Sequence, residues 1–292
     1  MRIFATLAIA AAMGSTPVFA QECDPRFVEN TQTVTVGNVE IGANQVSRTN
    51  FGVRVVNEGS GACSAQVRFS RINGTAISTG LSYSLRSESS ILEILPDEAA
   101  TGTSQSDLFI AGIPGGENGR AVPFLLSVPT EWGIEAGFYS EQVQMSLLDE
   151  TGQVIDTLIV TINVDVPPSA SLRIVGATGS EGVARVNLGN ITPRDIALSD
   201  PFGIRVWSSS SYLVSFASEN NGNLRHDNGS DLIPYELRMD ERLVNLSGSG
   251  EFVFPDKTSS LGRVHRLRVR AGPAVGRAGD YSDRVTVTVT AV

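Results

Sequence analysis

Residues 279–290 read Gly-Asp-Tyr-Ser-Asp-Arg-Val-Thr-Val-Thr-Val-Thr and carry the clearest structural signal in the chain. Valine and threonine alternate from residue 285 onward, so one side of the segment is apolar and the other is polar. A period of two residues is that of a β-strand with one face against a core. The stretch therefore predicts a half-buried strand.

Segments of the same kind recur along the chain between clusters of Gly, Ser, Asn and Pro, with almost no helical periodicity. This pattern is typical of antiparallel sandwiches. We expect an all-β protein. The clearest predicted strands are residues 31–36, 52–56, 65–70, 204–206, 212–217 and 284–290.

Three short, similar sequence segments, which we call phrases, occur in both halves of the chain in the same order, and this indicates a duplicated fold. The pairs are residues 51–55 and 202–206, 82–86 and 234–238, and 136–143 and 278–285. Between the copies lies Val166-Pro167-Pro168-Ser169, and proline cannot donate to a central strand ladder. We therefore expect two β-sandwich domains, residues 21–166 and 167–292.

The first twenty residues have the pattern of a signal peptide. Arg2 supplies positive charge, residues 3–13 are largely apolar, and residues 18–20 fit a small-x-small cleavage site. Export places the chain in an oxidising compartment, where paired cysteines favour a disulfide over a metal pair or a nucleophile. We expect a Cys23–Cys63 disulfide, with two free thiols as the alternative.

Charge is distributed unevenly between the halves. Residues 21–166 contain 18 Asp and Glu against 7 Arg, whereas residues 167–292 contain 13 acidic against 14 basic residues. Nucleic-acid binding relies on basic residues that displace counterions, so the acidic first half argues against that partner. Arg266, Arg268 and Arg270 alternate along a predicted strand and form either a solvated face or a dock for an acidic partner.

The two halves end differently. The first half turns at residues 149–152 and adds a strand in which alternate positions from Leu158 to Val166 are apolar. The second half reaches its valine-threonine strand, and the sequence stops at Val292. If the halves are homologous, the second lacks its final strand and leaves an apolar groove beside an unpaired backbone edge.

This groove is the main site predicted from the sequence. Val285, Val287 and Val289 are expected on one side, with Leu172 and Ile174 on the other. A partner's strand would then stabilise the second domain, because buried valines contribute roughly 1.5 to 3 kcal/mol each. The alternative is that a strand from the domain's own N-terminal part fills the gap.

Residues 279–290, together with Tyr212 and residues 234–237, resemble the spore coat protein U-like domain of archaic chaperone-usher pilus subunits. The resemblance covers the second half well and the first half more weakly. The second half lacks the cysteine pair that many family members carry within the domain. The resemblance implies incomplete immunoglobulin-like domains that are completed by a donor strand. Its expected partners are a periplasmic pilus chaperone, an outer-membrane usher and an adjacent pilin subunit.

Cys23 closely follows the predicted cleavage site, so little chain would remain to donate a strand. A subunit that accepts a strand but donates none is similar to the two-domain tip adhesins of archaic pili. The resemblance thus implies an adhesin-like first domain, export to the cell surface or secretion, and a role in adhesion or biofilm formation, with the receptor open. The alternatives are a secreted coat or matrix protein, or a carbohydrate-binding sandwich outside any pilus.

Sequence signatures of catalysis are absent. His226 and His265 are the two histidines, neither in a spacing such as H-E-x-x-H, and phosphate-binding and nucleophile-elbow motifs do not occur. We expect no enzyme activity, metal or cofactor. Large apolar residues beside loop formers are candidate adhesive positions, with core burial as the alternative reading. They are Phe109, Ile110, Ile113, Trp132 and Ile134.

Overall fold

The computed structural model describes residues 23–72, 81–88, 90–96, 107–180, 182–248 and 250–292, and the predicted signal peptide lies outside these ranges. Every assigned element in the described residues is a β-strand, so the protein is all-β as predicted. In the same residues, no helix is long and apolar enough to cross a membrane.

The first half forms a sandwich of two sheets. Its strands are β1 (Pro25–Phe27), β2 (Thr31–Val36), β3 (Val46–Asn57), β4 (Cys63–Arg71), β5 (Ser84–Ser87), β6 (Ser90–Leu92), β7 (Ile94–Leu95), β8 (Leu108–Ile113), β9 (Gly116–Pro129), β10 (Gly137–Leu148) and β11 (Val154–Val166). One sheet has the order β1-β3-β9-β5-β6 and the other β2-β11-β10-β4-β7, with β8 also on β4. Strand β2 runs parallel to β11, and β10 lies antiparallel between β11 and β4. The first sandwich therefore has the two-sheet arrangement of an immunoglobulin-like domain.

The core of the first sandwich follows the predicted alternation in β11. The inward side chains of that strand are at most 3% exposed, and they are Leu158, Val160, Ile162, Val164 and Val166. Phe69 and Phe124 pack edge to face in the same core, with ring centroids 5.8 Å apart. Cys23 and Cys63 form the predicted disulfide, which joins the segment before β1 to the start of β4.

The second half forms a smaller sandwich. Its strands are β12 (Ala170–Val175), β13 (Thr178–Ser180), β14 (Val183–Arg185), β15 (Ala197–Leu198), β16 (Phe202–Ser208), β17 (Tyr212–Ser218), β18 (Asn223–His226), β19 (Leu232–Met239), β20 (Arg242–Leu243), β21 (Gly250–Phe254), β22 (Arg263–Ala271), β23 (Tyr281–Ser282) and β24 (Val285–Ala291). The larger sheet has the order β12-β16-β22-β19-β18-β23, and the smaller sheet has the order β21-β17-β24. Strands β15 and β20 join the larger sheet through β22 and β19, and β13 pairs with β14.

The repeated phrases lie on equivalent strands in equivalent register. Phe51 of β3 pairs with Phe124 of β9, and Phe202 of β16 pairs with Leu267 of β22. A second match places the phrase at 82–86 and the phrase at 234–238 against these same partner strands, β9 and β22. The two sandwiches are therefore built on one strand plan.

Both halves also contain the same tyrosine contact, which lies at the start of β10 in the first sandwich and just before the equivalent strand β24 in the second. The hydroxyl of Tyr139 donates to the carbonyl oxygen of Glu135 at 2.6 Å. The hydroxyl of Tyr281 donates to the carbonyl oxygen of Arg277 at 2.9 Å. A tyrosine that bonds back to the chain just upstream is the tyrosine corner of immunoglobulin-like sandwiches.

The cores of the two sandwiches are separate. The first draws on residues from Phe27 to Val166, and the clusters of the second draw on residues from Leu172 to Val289. The boundary predicted at Pro167 falls between them. Contacts across it include the N–H of Ala136 donating to the carbonyl of Ser209 at 2.7 Å.

Candidate strand-acceptor site

Strand β24 is paired along one side. Its residues pair with β17 from Val285 opposite Ser218 to Ala291 opposite Tyr212. In the described residues no strand pairs with its other side, which we call the acceptor edge. The equivalent strand of the first sandwich, β10, is covered on both sides by β4 and β11.

Two hydrogen bonds that flank the pairing of β17 with β24 show which backbone groups point to the acceptor edge. The N–H of Val292 donates to the carbonyl of Ser211 at 2.8 Å, and the N–H of Glu219 donates to the carbonyl of Arg284 at 2.9 Å. Successive residues of an antiparallel strand point their N–H and C=O groups to opposite sides. The even-numbered residues of β24 therefore bond to β17, and the backbone groups of the three valines face the acceptor edge.

The side chains of those valines are incompletely covered. Val285, Val287 and Val289 are partly buried and pack against the second core. At the equivalent positions of β10, Val143, Met145 and Leu147 are 2%, 1% and 0% exposed. The first sandwich has β11 paired beside these residues, whereas no strand of the described chain pairs with β24 on that side.

The other two predicted groove residues lie on β12. Leu172 and Ile174 are partly buried and pack against the same core as the three valines of β24. Strand β12 pairs with β16 in the opposite sheet, and in the described residues it does not pair with β24. The two strands approach each other with Cα atoms within 8 Å, so they close part of the gap. We call these five residues the acceptor groove.

A carboxylate fixes the chain just before β24. Asp283 accepts hydrogen bonds from the hydroxyl of Ser218 at 2.6 Å, the hydroxyl of Tyr235 at 2.5 Å and the N–H of Asn220 at 3.0 Å. Burial, and then the bond to Asp283, raise the pKa of Tyr235 above its ordinary value.

The first sandwich has a related cluster. Glu141 occupies the position of Asp283 and accepts a bond from Arg71 Nε at 2.7 Å, with the guanidinium above the ring of Tyr83. Burial, and then the charge of Glu141, raise the pKa of Tyr83. Sequence reasoning noticed both tyrosines in the repeated phrases but missed their carboxylate partners, which lie in the later phrase of each repeat.

The two histidines lie in different surroundings. His265 is fully buried, with Nδ1 2.7 Å from Asp240 Oδ2 and Nε2 2.9 Å from the hydroxyl of Tyr212. His226 lies at the surface with its ring edge to face against Tyr281. Across the described residues, no group of His, Cys, Asp or Glu side chains could hold a metal ion.

The candidate adhesive residues separate into three groups. Phe109 is 61% exposed on β8, whereas Ile110 and Ile113 are 4% and 0% exposed and belong to the first core. The two isoleucines take the alternative reading, core burial, because the register of β8 against β4 shifts between them and turns residues three positions apart to the same side. Trp132 and Ile134 line a cavity of about 620 Å³ at the junction of the two sandwiches.

Comparison with known proteins gives no close relative. No family model and no curated protein matches this sequence. Solved structures with a similar arrangement include the tip adhesion subunit in the CsuC–CsuE pre-assembly complex of archaic Csu pili from Acinetobacter baumannii, at 14% identity over 89% of this chain and 97% of that chain, with a TM-score of 0.45. CfaE, the adhesive subunit of CFA/I fimbria of enterotoxigenic Escherichia coli, matches at 14% identity over 93% and 94% of the two chains, with a TM-score of 0.42. The CupB6 tip adhesin of Pseudomonas aeruginosa matches at 11% identity over 92% and 95%, with a TM-score of 0.35.

Proposed function

We propose that this protein is an exported, non-enzymatic subunit of a chaperone-usher pilus, and that its second sandwich is completed by a strand from another protein. The acceptor edge of β24 carries this proposal. At this edge the backbone N–H and C=O groups of the valines are unpaired, and the side chains of the same valines are only partly buried by the rest of the domain. An extended strand satisfies both needs at once, through main-chain bonds and alternate apolar side chains.

The first sandwich indicates how such a strand would lie. There β11 runs antiparallel to β10, with Val160 opposite Val143 and Leu158 opposite Met145. A donor in the same position would place apolar residues at every second position against Val285 and Val287. Because β12 and β24 partly close the gap, we expect the donor to move β12 outward as it enters.

The proposed partners follow from this mode of assembly and from the family resemblance. A periplasmic chaperone would supply the first strand, and an adjacent pilin subunit would replace it at an outer-membrane usher. The first sandwich already contains β11 and a complete core, so we assign it the adhesive role at the pilus tip. Exposed Phe109 is the candidate contact of that surface; its receptor is open.

The experiment that tests this proposal adds a copy of β11, the final strand of the first sandwich, to the second sandwich. Residues 156–167, which contain most of β11, are grafted after Val292 through a short flexible linker in the otherwise complete chain. A matched control graft carries serine in place of Leu158, Val160, Ile162 and Val164. We expect the first graft to raise the melting temperature of the second sandwich and the control graft to leave it unchanged, because the control removes the apolar register.

Two results of the graft experiment would contradict the proposal. If neither graft changes the melting of the second sandwich, then the sandwich is complete as it stands. Donor-strand assembly would then be abandoned in favour of a free secreted protein. Equal stabilisation by both grafts would also contradict a groove that selects alternate apolar side chains.

A further inference from the structure

The outer face of the larger sheet of the second sandwich carries an unusual density of arginine. On β22, Arg266, Arg268 and Arg270 are exposed, whereas the residues between them are buried. Cross-strand neighbours on β12, β16 and β19 add three more arginines to this side of the sheet. We call the set the arginine face: Arg173, Arg205, Arg238, Arg266, Arg268 and Arg270.

The arginines oppose one another directly in two places. Arg173 pairs with Arg205 across β12 and β16, and Arg238 pairs with Arg268 across β19 and β22. Like charges directly opposite each other destabilise a sheet. An excess of basic residues does not explain this clustering of arginines, because the chain as a whole has a net charge of -9.

Few carboxylates compensate this charge. Among the described ion pairs, Arg238 with Glu236 at 3.4 Å is the one that involves the arginine face, and both side chains are more than 40% exposed. Asp240 lies nearby, but its oxygens contact His265 Nδ1 and the backbone N–H of Arg266. Glu236 also lies directly opposite Arg270 on this face, so the guanidinium groups of Arg266 and Arg268 are the ones most available to an external anion.

The six arginines lie on four adjacent strands of one sheet. Alternate residues along a strand are about 6.6 Å apart and neighbouring strands about 4.8 Å apart, so arginines on four adjacent strands form a two-dimensional grid. Apolar side chains are exposed beside it, with Leu198 at 54%, Leu261 at 74% and Val264 at 44%. Trp207 lies on the same side of β16 as Arg205 and is partly buried.

We propose that the arginine face docks on an anionic lipid surface. The guanidinium fork matches phosphate oxygens, and a two-dimensional grid of such groups matches headgroup phosphates spread over a membrane better than it matches one linear polymer. The exposed leucine and valine side chains would meet the edge of the acyl region. Those acidic residues of the first half that lie more than about 8 Å from the face are largely screened at physiological salt.

This surface is separate from the acceptor groove. The arginine face points away from the core on the larger sheet, whereas β24 belongs to the smaller sheet on the opposite side of that core. A donor strand beside β24 therefore leaves open the five arginines on β16, β19 and β22, whereas the sixth, Arg173, lies on β12, which we expect the donor to move. Lipid docking and strand acceptance would succeed or fail independently.

The test is flotation of the full mature chain with vesicles. Equal parts phosphatidylglycerol and phosphatidylcholine are compared with phosphatidylcholine alone, at low and high salt. We expect binding to the anionic vesicles that high salt abolishes. A basic residue at a membrane surface strengthens partitioning about fivefold, so Arg266→Gln with Arg268→Gln should weaken it about 30-fold.

The matched control is Arg185→Gln with Arg284→Gln, which makes the same charge change at two exposed arginines outside the face. We expect this control to weaken partitioning by less than about threefold. Its two arginines lie outside the docking face, and salt largely screens the attraction between charges held away from the membrane and the lipid headgroups. Circular dichroism checks folding, and Arg173→Gln with Arg270→Gln replaces the first pair if that variant does not fold.

Three results would overturn the proposal. The first is equal recovery with both vesicle types, and the second is an equal loss in the test and control variants. The third is binding to a soluble polyanion such as heparin without binding to vesicles, which would assign the face to a linear polymer. The grafted chain with its groove filled should bind vesicles as the ungrafted chain does.

Discussion

Val143 and Val285 occupy the same position on equivalent strands, but Val143 is 2% exposed whereas Val285 is only partly buried. Val143 lies between Arg71 of β4 and Val160 of β11. Val285 lies opposite Ser218 of β17 and has no strand on its other side in the described chain. The difference in exposure between these two equivalent valines thus shows how much burial a final strand adds.

The first prediction uses this matched pair. Val143→Ala should lower the free energy of unfolding of the first sandwich by about 2 kcal/mol, because two buried carbon groups are removed. Val285→Ala should cost roughly half as much, and should approach the cost of Val143→Ala once the strand graft covers it. Urea unfolding with single-tryptophan variants measures each sandwich, since Trp132 lies in the first half and Trp207 in the second. Equal costs without the graft would contradict an incompletely covered groove.

The second prediction concerns the two tyrosine corners. Tyr139→Phe and Tyr281→Phe each remove one hydroxyl that bonds to a carbonyl four residues upstream. Each change should lower the free energy of unfolding of its own sandwich by about 1 kcal/mol, the net value of a typical hydrogen bond. Thermal unfolding of the two variants checks this. A change in the sandwich that does not contain the substitution would contradict the assignment.

The third prediction is a loss of stability in alkali. Burial raises the pKa of Tyr235 in the folded chain, so above about pH 10 the unfolded chain releases this proton while the folded chain keeps it. Stability from this group is therefore complete below pH 10 and falls as the pH rises further, by up to about 1.4 kcal/mol per pH unit. Urea unfolding of the second sandwich between pH 8 and pH 11 measures the slope.

The control for this pH dependence is Tyr235→Phe, which has no proton to release. It should reduce the alkaline slope of the second sandwich without abolishing it, because burial also raises the pKa of Tyr212 there. The slope of the first sandwich, where Tyr83 has a raised pKa, should not change. An unchanged slope in the second sandwich would assign the alkaline loss to other groups.

The fourth prediction concerns the disulfide. Cys23 and Cys63 are separated by 40 positions. A disulfide that closes a loop of that length restricts the unfolded chain and so stabilises the fold by about 4 kcal/mol. Cys23→Ser with Cys63→Ser should destabilise the first sandwich by about that amount and leave the second unaffected. Denaturation followed at Trp132 and Trp207 tests this. A similar loss in both sandwiches would show that they do not unfold separately.

Much of the strand plan was predictable, because alternation and repeated phrases are local signals. The β11 pattern correctly identified its buried side chains, and the valine-threonine stretch correctly identified β24. Contacts between distant segments were not predictable. Nothing near His265 in the sequence indicates that Tyr212 and Asp240 meet its two ring nitrogens. Likewise, the inward direction of Ile110 and Ile113 depends on the pairing of β8 with β4, which a single sequence does not specify.

The most direct test of the acceptor edge is amide hydrogen exchange along β24 in the ungrafted chain. We predict alternation: the amides of Thr286, Thr288 and Thr290, which bond to β17, exchange slowly, whereas those of Val287 and Val289 exchange quickly because they face the open edge. Grafting residues 156–167 after Val292 should slow Val287 and Val289 to the rates of their neighbours. Uniformly slow exchange along β24 before grafting would mean that the edge is already occupied, and the account of an incomplete second sandwich would be wrong.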